Sequence, residues 1–299
     1  MKESYKRIAV IAGLLCVSSL FYQFAPVEKT IEATDSSSYL PLNMSFCGER
    51  VPLEITDVKE RLDRELIVNI NLHSSTSLII KRASRYFPDI EPILKRNGIP
   101  DDFKYLCVIE SALTNATSTA GAKGFWQFMP ETAKEYGLEV SSTIDERYHI
   151  IKATEAACSY LKKAYNKFGN WTLVAAAYNR GMAGIERQQL AQGVTDYYDL
   201  YLNEETSRYV FRILALKEIM LNQDKYGYVF ARDELYMPVK TKAVTVNANI
   251  DNLQMWALDQ GINYKILRLH NPWLIDTTML VMSGKTYEIQ IPTEGYKRK

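Results

Sequence analysis

The stretch from Phe103 to Leu113 constrains the fold more than any other part of the chain. At helical steps of three and four, Phe103, Leu106, Cys107, Glu110 and Leu113 share one face, while Tyr105, Val108, Ile109 and Ala112 cover the other. A helix that is apolar nearly all round has to be enclosed by other elements. Asp101 or Asp102 stands where an N-cap is wanted. Glu110 is then a lone carboxylate on a buried helix. By itself it reads equally as a core acid satisfied by a neighbouring base.

The surrounding sequence supplies the enclosing helices. Helical spacing runs through Val58–Leu72, Leu78–Phe87 and Ile90–Leu94, with Pro88 and Gly98-Ile99-Pro100 as punctuation. Pro130–Tyr136 opens on proline and stops at Gly137. The stripe Ala153, Ala156, Ala157, Tyr160, Leu161, Ala164, Phe168 ends at Gly169. Asn170 can cap Trp171–Asn179, which closes at Gly181, and a long helix is expected over about Glu204 to Asn222. No strand alternation interrupts this region, so it reads as all-α. After Pro238 the pattern changes to short strands at Val244–Val246 and Tyr287–Ile291, with helical pieces at Leu253–Asp259 and Tyr264–Leu269 between them. A small β-α-α-β unit, separate from the helical part, is expected there.

At the other end, Lys2, Lys6 and Arg7 precede an uncharged run from Ile8 to Ala25. A positive flank before an apolar run of near-spanning length reads as an export signal or signal anchor. Ala25-Pro26 is a poor cleavage context, and Leu15 occupies the place where a lipid-attachment motif at Cys16 wants a small residue. An uncleaved anchor is therefore favoured. The division expected is a signal anchor or signal peptide over 1–27, a linker over 28–57 that includes the polar tether Thr34–Ser38, a helical domain over 58–236 and a small domain over 240–299. A formal net charge of +1 excludes a basic nucleic-acid-binding field. With 4 cysteines, no Cys-x-x-Cys pair and only 3 histidines, neither a metal nor another cofactor is expected. Cys107 and Cys158 lie in apolar helices and read as small buried hydrophobes.

Motifs then shift the balance for Glu110. Glu110-Ser111 leads through a small-residue loop to Gly124-Phe125-Trp126-Gln127-Phe128-Met129-Pro130. Aromatic rings, an amide and a thioether near a buried acid suit a pyranose ring with its hydroxyl and N-acetyl groups. Five motifs occur in order over about 110 residues: Glu110-Ser111; Ser118 to Ala133 (S-x-x-G-A-x-G-F-W-Q-F-M-P-x-T-A); Asp145-Glu146-Arg147; Ala176 to Gly181 (A-A-Y-N-x-G); and Glu205 to Val210 (E-T-x-x-Y-V). Together they resemble the catalytic domain of lytic transglycosylases of the soluble-lytic-transglycosylase type, and most of all the membrane-bound murein transglycosylase D group.

The resemblance implies a mainly α, lysozyme-like catalytic domain acting on the glycan strands of bacterial peptidoglycan. It implies Glu110 as catalytic acid/base and Tyr178 as a tyrosine pointing at its carboxyl. Ser118 matches a serine placed near the N-acetyl group and the acid, Gln127 and Met129 match glycan-contacting positions, and Glu205 matches a second acidic residue in a supporting role, with Trp126 and Asn179 as further substrate-side candidates. Phe125 and Trp126 read equally as core, and Asp145, Glu146 and Arg147 as a structural ion-pair cluster. The C-terminal unit resembles a LysM-like glycan-binding module, with Asn271-Pro272-Trp273 in place; a packing domain fits that pattern equally. The implied setting is the periplasmic side of the cell envelope, held to the membrane by the N-terminal segment. Two alternatives stay open: a lysozyme-type hydrolase on the same fold, and an inactive membrane-tethered peptidoglycan-binding scaffold.

Overall fold

The computed structural model describes residues 39–296, so the segment read as a signal anchor or signal peptide lies outside the described residues. The chain enters through a hairpin of β1 (Ser45–Phe46) and β2 (Glu49–Arg50), paired antiparallel. This part of the expected linker is not free chain. Phe46 and Val51 are buried in the main core, and Phe46 meets Phe103 edge to face at 5.4 Å between centroids. Two apolar residues thus give a short segment enough buried area to stay folded against the helices.

Helices α1 (Thr56–Asn71) and α2 (His73–Arg96) follow. The sequence breaks α2 at Pro88, but the helix runs straight through Pro88 and Pro92. Both prolines are exposed, so the carbonyls they leave unpaired can face water, while Ile79, Ile80, Ala83, Ile90, Ile93 and Leu94 hold one buried face together. Next come α3 (Phe103–Ser111), α4 (Pro130–Glu135), α5 (Ile150–Phe168), α6 (Trp171–Arg180), α7 (Met182–Gln192) and α8 (Glu204–Leu221). Helix α8 is the hub: α1, α3 and α6 all pack against it. Its buried side chains, from Thr206 to Met220, leave little of its surface for solvent.

Local signals explain most of these ends. Gly169 closes α5 in the left-handed region, where a side chain would be strained, and Asn170 accepts from the Leu173 amide to start α6. Two further amides at that N-terminus, Trp171 and Thr172, donate to the Glu49 carboxylate of the β1–β2 hairpin at 2.6 and 2.9 Å. Asp102 stands at the N-cap of α3 without capping it. Its carboxylate instead accepts from the Cys47 amide and from Lys217 on α8, both at 2.6 Å. Cys107 and Cys158 are fully buried, as their apolar settings imply.

Strands β3 (Thr241–Val246) and β4 (Tyr287–Pro292) pair antiparallel, with α9 (Leu253–Asp259) and α10 (Tyr264–His270) between them. They enclose a second core of Leu253, Leu267, Trp273, Leu274, Met279 and Ile289. This unit is not separate from the helices. Ile144, from the loop after α4, is fully buried inside its core, and Thr143 and Asp145 pair with its backbone. No described helix is long and apolar enough to cross a membrane.

Candidate functional site

Glu110 sits in the last turn of α3, and that turn is finished in an unusual way. Ala112 and Leu113 both take left-handed backbone conformations, at φ 51° and 55°. Such conformations cost a residue with a Cβ, and they persist only where the surroundings over-determine them. Here two arginines hold the helix end: Arg212 donates to the Ile109 carbonyl and Arg82 to the Ala112 carbonyl, each at 3.2 Å. Cations at a helix C-terminus also complement its partial negative charge.

Because α3 crosses α8, Tyr209 comes to lie on Glu110, and its hydroxyl donates a short hydrogen bond to the Glu110 carboxyl. Among the described residues no lysine or arginine forms an ion pair with Glu110. Burial pushes its pKa up to about 7; the Tyr209 hydrogen bond and the Arg212 charge pull the other way, and the Glu205 charge adds to the rise. The side chain is half-buried at residue level, set in an apolar surround yet still reached from outside.

Tyr178 does not make the expected contact. Its hydroxyl donates to the Trp126 carbonyl at 2.8 Å, although it is close enough for the Glu110 charge to add to burial in holding its own pKa well up. Its ring packs edge-on against Phe128 and Tyr160. In the sequence Tyr209 is the tyrosine of the Glu205–Val210 motif on the expected long helix, with no role assigned to it. Nothing in the spacing distinguishes a tyrosine that caps a carboxyl from one that fills space.

The loop from Ala116 to Phe128 runs beside α3. It folds back on itself through Gly124 N to the Ala116 carbonyl and Ser118 N to the Ala122 carbonyl, both 2.9 Å. Ser118 Oγ accepts from the Ala122 amide at 3.0 Å. Gln127 has φ 48°, and its amide nitrogen donates to the carbonyls of Gly124 at 2.8 Å and Ala116 at 3.1 Å. Gly124 has no alternative: at φ 78°, a Cβ there would lie 1.9 Å from the Arg147 carbonyl oxygen. Met129 is 42% exposed.

Trp126 is a correction. It is fully buried, and its indole N–H donates to Thr154 at 2.8 Å, so it is core and cannot stack on a glycan. Phe125 is buried as well. Asn179 and Glu205 are joined at 3.0 Å, with Thr206 donating to Asn179 at 2.8 Å. Asp145 and Arg147 form a structural ion pair of the kind expected, whereas Glu146 pairs outside the motif, with Lys152. Arg147 binds Asp145 through two nitrogens at 2.7 and 2.8 Å and also donates to the carbonyls of Gly121 and Phe128. Burial alone would raise the Asp145 pKa, but Arg147, helped by Lys123, takes it below the usual carboxylate value. Two concavities, one lined by Arg61, Tyr198 and Arg208 and the other by Lys95, Pro100 and Lys104, lie apart from Glu110.

Residues 90–200 match the family of the transglycosylase SLT domain, and residues 242–295 match the soluble lytic transglycosylase C-terminal LysM-like domain. Membrane-bound lytic murein transglycosylase D of Escherichia coli K12 is 30% identical over 246 residues, covering 76% of this chain and 54% of that protein. The same protein of Escherichia coli O6:H1 matches with the same figures. The chain thus spans about half the length of the curated relatives it matches. A solved structure of lytic transglycosylase Slt from Pseudomonas aeruginosa is 22% identical, covers 51% of this chain and 26% of that one, and superposes with a TM-score of 0.37, too low to bear on the fold. By its sequence matches the chain belongs to the transglycosylase SLT domain family over residues 90–200 and to the LysM-like domain family of soluble lytic transglycosylases over residues 242–295.

Proposed function

We propose that this chain is a peptidoglycan lytic transglycosylase that cleaves the bond between N-acetylmuramic acid and N-acetylglucosamine and leaves 1,6-anhydro ends. The carrying observation is Glu110: a carboxyl on a buried helix, hydrogen-bonded by a tyrosine rather than by a cation, with its pKa lifted to about 7. Such a group is present in both protonation states near neutral pH, which suits an acid that must next act as a base.

Most glycosidases divide these duties between two carboxylates. Here Glu205 is the carboxylate whose charge acts on Glu110, and it is exposed and bonded to Asn179. One carboxyl suffices if the substrate supplies the rest. Protonated Glu110 gives its proton to the glycosidic oxygen as the bond to the anomeric carbon breaks. The neighbouring N-acetyl carbonyl stabilises the positive charge that develops there. The resulting carboxylate takes the proton of the muramic acid C6 hydroxyl, whose oxygen closes the 1,6-anhydro ring. No water is consumed, and nucleophile and electrophile share one sugar, so little entropy remains to be lost.

In this reading Ser118 and Gln127 on the 116–128 loop and Met129 just after it meet the glycan, with Asn179 and Glu205 as further contacts. Tyr178 braces the loop from behind through the Trp126 carbonyl, and Tyr209 positions the Glu110 carboxyl. The catalytic part is taken to span 58–236, and the small unit to begin near 240. The relatives' description as membrane-bound and the apolar N-terminal run support a place at the cell envelope, held by that run as anchor or exported by it as signal. Mass spectrometry of digested peptidoglycan tests the activity. The expected products carry anhydro ends and vanish with Glu110→Gln; ordinary reducing ends would replace this reading with a hydrolase, and no products at all with a binding scaffold.

A further inference from the structure

The segment Thr143 to Tyr148 is held on two sides at once. On one side is the LysM-like unit. The Asp145 amide donates to the Trp273 carbonyl at 2.9 Å, and the Ile275 amide to the Thr143 carbonyl at 3.0 Å. The Leu280 amide donates to Thr143 Oγ1 at 3.2 Å. Ile144 is a plug in the unit's core, with no exposed surface. Just upstream, the buried Glu139 carboxylate accepts from Tyr287 at 2.7 Å and from Lys285 at 2.8 Å.

On the other side is the loop beside Glu110. Arg147, 3% exposed, spans the segment: its guanidinium is fixed by Asp145 and donates to the carbonyls of Gly121 at 3.0 Å and Phe128 at 3.2 Å. Thr117 and Tyr148 share a hydroxyl hydrogen bond at 2.8 Å, and Lys123 reaches Asp145 at 3.4 Å. Gly124 lies flat on the Arg147 carbonyl. That loop contains Gln127, a non-glycine at positive φ, which needs such outside support.

We infer that the LysM-like unit is a positioning element of the Glu110 site: by gripping Thr143–Asp145 it fixes the 116–128 loop in the shape that presents Gln127. A freely tethered binding module would need none of these contacts. The inference deepens the transglycosylase reading, but its main test does not depend on that reading.

Amide hydrogen exchange in the full chain reads loop order directly. Ile144→Asp should evict the plug, and Tyr287→Phe should remove one grip on Glu139 with little change in volume. Exchange over 116–128 is expected to quicken about tenfold or more in Ile144→Asp and a few-fold in Tyr287→Phe, while α5 and α8 keep their protection. Ile144→Val, which keeps the plug apolar, should leave loop exchange at the wild-type rate. If glycan cleavage is followed as well, kcat should fall further than KM rises. Unchanged loop exchange in Tyr287→Phe, together with lost protection over 273–287, would overturn the inference. So would an Ile144→Asp chain that undocks the unit yet keeps the loop ordered. Should Ile144→Asp fail to fold, Tyr287→Phe against Ile144→Val decides alone. Loop loosening without any glycan cleavage in the wild type would leave this inference standing and sink the transglycosylase reading.

Discussion

Two buried carboxyl environments lie on either side of the 116–128 loop, and they are built in opposite ways. At the junction with the LysM-like unit, Asp145 is matched by Arg147, and Glu139 by Lys285 and a tyrosine hydroxyl. At the end of α3, Glu110 is hydrogen-bonded by a tyrosine hydroxyl and, among the described residues, forms no ion pair; Arg212 acts on it only through its charge. Arg147 holds Asp145 charged, and the pair serves as a fastening. A buried acid without such a pair keeps its proton to higher pH and is free to give it away. The same residue types therefore make a joint in one place and a reactive group in the other, and the missing ion pair marks the difference.

The strongest way to break this contrast is to remove the cation from the joint. Arg147→Ala leaves Asp145 buried without its partner and strips the carbonyls of Gly121 and Phe128 of a donor. A loss of about 3–5 kcal/mol in unfolding free energy is expected, measurable by denaturant titration at neutral pH. A loss below about 1 kcal/mol would show that the joint carries no weight. The wild-type joint has a defined pH slope. The Asp145 pKa is depressed in the fold, so its contribution is present above the ordinary aspartate range and fades as pH falls through the folded value.

Glu110→Gln should do the reverse. With the folded pKa raised to about 7, stability is fully present below the unfolded value and is lost as pH rises through 7. The glutamine escapes that loss. At pH 8 the variant should be more stable than wild type by on the order of 3 kcal/mol, at about 1.4 kcal/mol per pKa unit, and the gap should close towards pH 4.5. Melting temperatures across that range give the measurement. Equal stabilities at pH 8 would mean that Glu110 is not tuned by burial at all.

Trp126→Phe separates core from glycan contact. It removes an indole N–H bond to Thr154 inside the main core, so about 1–2 kcal/mol of stability should go. The KM for glycan should hold, because no surface of Trp126 is exposed. A raised KM with an unchanged melting point would return Trp126 to the substrate.

The sequence carried the helices whose period and caps agree. Helix α5 ends at Gly169 and α6 runs from Asn170 to Gly181 as those residues say they should, α8 fills the expected stretch, and β3, α9, α10 and β4 follow the expected order. Helix α7 escaped notice because only Gly184 and Ile185 are buried on it, too little for a stripe. Pro88 misled because the cost of a proline depends on whether water can reach the freed carbonyl, and exposure is a tertiary property. The docking of the C-terminal unit was invisible for a related reason. It runs through backbone groups of Thr143 and Asp145, which every residue possesses, and through one isoleucine. In the site, Glu110 was legible as a lone acid on an apolar helix, whereas its partner was not. The choice between Tyr178 and Tyr209 is made by the crossing of α3 over α8, and no local spacing encodes a crossing.

That choice yields the finest test. Tyr209→Phe deletes the hydroxyl that donates to Glu110 and leaves the burial in place. The hydrogen bond favours the charged form, so without it the Glu110 pKa should rise further. The basic limb of the pH profile of kcat/KM, followed as release of anhydro-ended product, should then move upward, by roughly one unit or less since a single hydrogen bond is lost. Tyr178→Phe should leave the limb where it is, because that hydroxyl serves the Trp126 carbonyl. Should Tyr178→Phe move the limb and Tyr209→Phe leave it still, the two tyrosines would exchange roles, and the contact expected from the sequence motif would replace the one seen across α8.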